Sequence, residues 1–214
     1  EHSFPTRRSS DLAKLPTRMP KPCTFEQLDV QASGRPAAAP AIRVPRRSAL
    51  APFRIAQRPV VLAPGDHQGF TITLNRKVRS IVFLHGVTVK ESDIRLPALY
   101  EYTDQKEYYL SREVAMLTVR CDYPVKNRRH PVREGRVPVR LGFEVGSLCE
   151  PMGRSAVSRP TFCDALALPD GNAVYAWEWV HPNPENFVIL DLTLSRGRGG
   201  VPGDYVLYAV TLVL

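Results

Sequence analysis

No run of apolar residues in this chain approaches the roughly 20 that a membrane-crossing helix requires, although 43% of its 214 residues are hydrophobic. Helical periodicity is missing as well: apolar residues nowhere recur with the period of a long amphipathic helix. Lysine is scarce, with 6 residues against 23 arginines. Those arginines are scattered along the chain, without the basic helix or aromatic-basic motif of a nucleic-acid binder. The net charge of +8 therefore reads as GC-rich codon use, which also favours alanine and the 20 prolines, and argues against nucleic acid as a partner.

Catalytic and cofactor signatures are equally absent. The cysteines, Cys23, Cys121, Cys149 and Cys163, contain no C-x-x-C pair, which excludes the common zinc frameworks. Their pairing stays open among three disulfide connectivities, with free half-buried thiols as the other reading. Gly197, Gly199 and Gly200 precede a strand rather than a helix, so they form no phosphate-binding loop. Ser147 and Ser155 lack the strand-turn-helix setting of a hydrolase nucleophile. The histidines lie far apart. Carboxylate pairs such as Glu91 and Asp93 have the chemistry of a glycosidase acid and base, but nothing places them in a cleft. We read the chain as a non-enzyme that calls for no metal and no cofactor.

What the sequence does contain is strands. Phe70 to Leu74 alternates apolar and polar residues, the period of a half-buried strand, and Asn75-Arg76-Lys77 then turns the chain. Val78 to His85 is a mostly apolar strand. Val114 to Cys121 places Ala115, Leu117, Val119 and Cys121 on one face, and Val137, Leu141, Phe143 and Val145 continue the alternation with Val139. Ala173 to Val180 puts Tyr175, Trp177 and Trp179 together, a stripe better suited to core packing than to a sugar platform. Val188 to Leu194 and Tyr205 to Leu214 follow. Thr24 to Val30 and Pro52 to Leu62 each hold a further strand. Short strands punctuated by proline and turn residues, without intervening helices, indicate an all-β antiparallel sandwich or barrel.

The N-terminal stretch reads differently. His2 to Leu12 matches, residue for residue, one reading frame of a sequencing-library adapter, so residues 1–12 are set aside as an artefact. Removing them also removes Glu1, Arg7, Arg8 and Asp11 and leaves the charge unchanged. A signal peptide would then be unobservable. Residues 13–47 read as a poorly ordered lead-in with one short strand, and 48–214 as a single sandwich domain.

Three segments carry a resemblance. They are Leu74-Asn75-Arg76-Lys77-Val78-Arg79-Ser80-Ile81-Val82-Phe83-Leu84-His85-Gly86, then Val174 to Glu185 with its Tyr175-Ala176-Trp177-Glu178-Trp179 core and Pro182-Asn183-Pro184 turn, and finally Tyr205 to Thr211. In order and spacing they resemble the galactose-binding-domain-like β-sandwich modules attached to bacterial glycoside hydrolases and other secreted proteins. The resemblance implies a jelly-roll sandwich and an accessory, carbohydrate-binding role in a larger protein. It also implies an extracellular or periplasmic location, with a neighbouring domain and a polysaccharide or other glycan as partners. The chain departs from that pattern at His181, where the family has Asn before its first Pro, and between Cys121 and Val137, where the family has a tight hairpin.

Two stretches are candidate sites. Tyr100, Tyr102, Tyr108 and Tyr109 supply aromatic faces for the C–H faces of sugars, and Asp104 supplies a hydroxyl partner. Lys126, Arg128, Arg129, Arg133 and Arg136 form a basic loop suited to an anionic polymer. His85, at the end of an apolar strand, is expected to be a core histidine bonded to the backbone. The remaining alternative is a structural sandwich that packs against a neighbouring domain and binds no small ligand.

Overall fold

The computed structural model describes residues 24–30, 47–93, 112–122 and 132–214. Its strands are β1 (Phe25–Gln27), β2 (Val60–Leu62), β3 (Phe70–Arg76), β4 (Ser80–Val87), β5 (Glu113–Asp122), β6 (Arg133–Arg140), β7 (Asp164–Ala167), β8 (Ala173–Val180), β9 (Val188–Arg196) and β10 (Tyr205–Val213). They form two antiparallel sheets packed as a sandwich. One is six-stranded, in the order β1-β10-β4-β8-β7 with β2 also on β10, and the other is four-stranded, β3-β9-β5-β6. The adapter-like residues 1–12 lie outside the described residues, as does Cys23.

Between the sheets, Ile81, Phe83, Ala115, Leu117, Val119, Val139, Trp177, Leu192, Leu194, Leu207 and Val210 make the main core. The alternation of β5 and β9 follows from this: one face meets the core and the other meets water. Strands β4 and β10 do not alternate, because every residue of both is buried. Their outward residues Val82, Leu84, Val206, Ala209 and Val213 lie under a second apolar layer with Ala51, Phe53, Leu148 and Leu168. A sheet covered on both faces needs apolar residues at consecutive positions, which explains the near-continuous runs in these two strands.

Trp177 and Trp179 of β8 face the main core, while Val174 and Ala176 belong to the outer layer. Trp177 stacks on Phe83 with ring centroids 5.4 Å apart and on His85 at 6.1 Å. The stripe is therefore core packing. Cys121, Cys149 and Cys163 are free thiols.

Two strand readings need correction, and a third is narrowed. The strand held by Pro52 to Leu62 is the three-residue β2, Val60–Leu62, paired with β10, while Pro52 makes an isolated bridge to Arg47. Pro52 and Pro59 lack the N–H a ladder requires, and the residues before β2 bury Ala51 and Phe53 in the outer layer and Ala56 in the main core. Asn75 does not end β3; it sits in a bulge at φ 51, a conformation asparagine tolerates, and pairing resumes at Arg76 opposite Ile189. The alternation from Val137 to Val145 also breaks. Strand β6 stops at Arg140, and Leu141 to Val145 form a turn in which Gly142 has φ 78. That turn leads to the site.

Candidate functional site

The turn after β6 is built from the core outward. His85 is fully buried and hydrogen-bonds two groups: Tyr205 OH lies 2.7 Å from Nδ1 and the Glu144 carbonyl oxygen lies 3.0 Å from Nε2. A carbonyl only accepts, so Nε2 carries the proton and Nδ1 accepts from the tyrosine hydroxyl. Burial lowers the His85 pKa from 6.5 to about 3, against a smaller raising effect of the bond to Glu144, so the ring is neutral. His85 is thus the expected core histidine, and it fastens the turn to the core.

The turn's own side chains complete it. The Glu144 carboxylate accepts from Arg140 at the backbone N (2.9 Å), Nε (3.1 Å) and Nη2 (2.6 Å). The guanidinium lies 4.8 Å from the Phe143 ring centroid. Backbone bonds from Thr161 N to Gly142 O (3.1 Å) and from Phe162 N to Phe143 O (2.8 Å) align a second segment beside the turn. They set the Phe143 and Phe162 rings 5.7 Å apart, tilted by 36°. Phe162 is 56% exposed and Phe143 half-buried. The result is a fixed aromatic pair next to a compact ion pair, both reachable from solvent. Sequence reasoning missed it because Phe143 fell on the inward phase of the alternation, and only the φ of Gly142 reverses that phase.

Of the residues singled out from the sequence, Tyr100, Tyr102, Asp104, Tyr108 and Tyr109 lie outside the described residues, as do Lys126, Arg128 and Arg129. The chain re-enters the described part at Arg112, whose carbonyl accepts the Leu141 N–H at 3.0 Å. Arg112 therefore lies beside the aromatic turn. Asp122, the last described residue before Lys126, ends the ten-residue β5, about 30 Å away at the rise of an extended strand.

Arg133 and Arg136 belong to strand β6 rather than to a loop. Arg136 pairs with Glu134 at 2.9 Å, Arg133 lies 5.8 Å over the Phe187 ring, and nearby Arg120 pairs with Asp191 at 2.9 Å. Each of these cations already faces a carboxylate or a ring. Glu91 and Asp93 sit in an exposed 3-10 turn, where Asp93 accepts the Lys90 N–H at 2.9 Å. Ser147 is buried and donates to Val89 O, and the Ser155 hydroxyl bonds Ser158.

Near the basic-loop end, Cys121 and His181 form a thiol–imidazole contact, Sγ to Nε2, of 3.8 Å. Nδ1 of His181 accepts the Asn183 N–H at 2.9 Å, which keeps the ring proton on Nε2, pointing at sulfur. The ring therefore has no lone pair free to remove the thiol proton. Burial and the Asp191 carboxylate both push the Cys121 pKa up. We expect Cys121 to alkylate at pH 7.5 at least about tenfold more slowly in the native protein than in the urea-unfolded chain, followed by peptide mass spectrometry. Equal rates would show that the fold does not suppress the thiolate, and a faster native rate would show an activated one. Among the described residues, no group of three or more His, Cys, Asp or Glu side chains is placed to hold a metal ion.

No family model matches the chain, and neither the curated proteins nor the solved structures give a match.

Proposed function

We propose that this chain is a non-catalytic accessory module that binds glycan, a jelly-roll sandwich of the galactose-binding-domain-like kind within a larger secreted protein. The observation that carries this reading is the Phe143–Phe162 pair. It offers an aromatic face to solvent, held by backbone bonds, with a guanidinium alongside, the combination that stacks on a sugar ring and reaches its hydroxyls. Arg112, the first described residue after the tyrosine-rich stretch, lies beside this turn, and Tyr100, Tyr102, Tyr108, Tyr109 and Asp104 complete the proposal as further sugar contacts. The pairing of Arg120 and Arg136 with carboxylates favours this end over the basic loop as the binding surface.

Affinity electrophoresis through gels containing single polysaccharides tests the proposal. Retardation by at least one is expected, with a dissociation constant near 0.1–1 mM, about 4–5.5 kcal/mol, and no hydrolysis of the retarding polymer. Tyr100→Ala and Tyr102→Ala should weaken it while circular dichroism stays unchanged. A module that no polysaccharide retards is not a glycan binder.

A second reading has its own observation. Phe25, Val213, Ser80 and Val180 form one cross-strand row of the six-stranded sheet, and Phe25 and Val180 are exposed, Val180 by 61%. Exposed apolar residues at the two ends of this row suit contact with a neighbouring domain in a structural role.

A further inference from the structure

We infer that the Phe143–Phe162 site takes a neutral glycan and discriminates against acidic ones. The inference rests on the glycan-binding reading and goes beyond it to ligand class. Its basis is the charge balance of the turn. Arg140 is the cation beside the rings, and Glu144 cancels it through a two-pronged side-chain pair, Nη2 to Oε1 and Nε to Oε2. The Glu144 side chain is only 8% exposed, against 36% for Arg140. Its carboxylate is also tied to the Arg140 backbone N–H, and its own carbonyl to buried His85. The carboxylate therefore cannot swing away to release the cation.

A uronate or sulfate approaching Arg140 would have to share the guanidinium with a fixed carboxylate already bonded to it, so like charges would be forced together in a partly desolvated place. A neutral sugar meets no such cost. The Nη1 group of Arg140 takes no part in the pair and keeps its N–H donors for hydroxyl or ring oxygens. The exposed face of Phe162 supplies the stacking surface, and its position is fixed by the Phe162 N–H bond to Phe143 O. Binding that gains nothing from net charge should also be insensitive to salt, unlike binding to a polyanion.

The test runs affinity electrophoresis of the full chain on neutral polymers (galactan, galactomannan, xylan, mixed-linkage glucan) and acidic ones (polygalacturonate, alginate, chondroitin sulfate). Retardation by a neutral polymer is expected, unchanged between about 0.02 and 0.5 M NaCl. Phe162→Ala should weaken it roughly fivefold, the equivalent of about 1 kcal/mol for one stacking ring, with the circular dichroism spectrum retained. Glu144→Gln uncovers the Arg140 charge and should add salt-sensitive retardation by the acidic polymers. Should that variant fail to fold, Phe162→Ala and the salt series still decide. Retardation by acidic polymers alone, or neutral retardation indifferent to Phe162→Ala, overturns the inference while leaving glycan binding intact. Failure of every polymer to retard the protein overturns the glycan-binding reading itself, and the inference with it.

Discussion

Between pH 6.5 and pH 4 the folded protein should lose about 3 kcal/mol of stability through His85 alone, at about 1.4 kcal/mol per pH unit. The folded ring has a pKa of about 3, depressed by burial from 6.5. The unfolded chain therefore takes up the proton first as pH falls. The stabilising contribution is fully present above 6.5 and is lost progressively down to about 3. Urea unfolding at half-unit pH steps measures the slope, and the informative interval is 6.5 to 5, before most carboxylates titrate. His85→Gln keeps a donor for the Glu144 carbonyl and removes the titrating ring, so it should lower stability at pH 7 yet flatten the slope. His181, also lowered by burial, adds the same sign in both proteins and cancels in the comparison. Equal slopes for the two proteins would mean that His85 is not held neutral by the core.

Trp177→Ala should cost about 3–5 kcal/mol, the range for deleting a large buried aromatic side chain. Its ring fills the space between Phe83 and His85, and neither neighbour can close the gap, since both are fixed in the paired strand β4. Trp179→Ala should cost clearly less, because that ring is only partly buried against the core edge and His181. Chemical denaturation of the two variants separates them. A larger loss from Trp179 than from Trp177 would reverse the assignment of the core.

The pair of variants also shows what was readable in the sequence. The Tyr175/Trp177/Trp179 stripe repeats with the strand period, and a repeating apolar residue on a strand reports directly which face is buried. The same signal gave β3, β5 and β9, while β4 and β10 were legible as near-continuous apolar runs. It cannot say which strand lies beside which, so the β3-β9-β5-β6 order and the separate outer layer over β4 and β10 come only from the structure. Strand β7 left no trace, because Asp164-Ala165-Leu166-Ala167 is short and has no β-branched or aromatic residue. The site was the least legible part. Phe143 continued a regular alternation, and the glycine that redirects it, between Leu141 and Phe143, occupies one of the outward positions of that alternation. Phe162 sits in no strand at all, and the pairing that brings it to Phe143 is made by backbone atoms that carry no sequence signature.

The proposed binding end is tested most directly by titrating the isotope-labelled protein with oligosaccharides cut from neutral polysaccharides and following backbone amide shifts. We expect saturable shifts concentrated in residues 140–145 and 159–163, with the 179–187 turn and β6 residues Arg133 to Arg136 unmoved. Shifts centred on that opposite end, or no shift with any neutral oligosaccharide, would contradict the assignment of this turn as a glycan site.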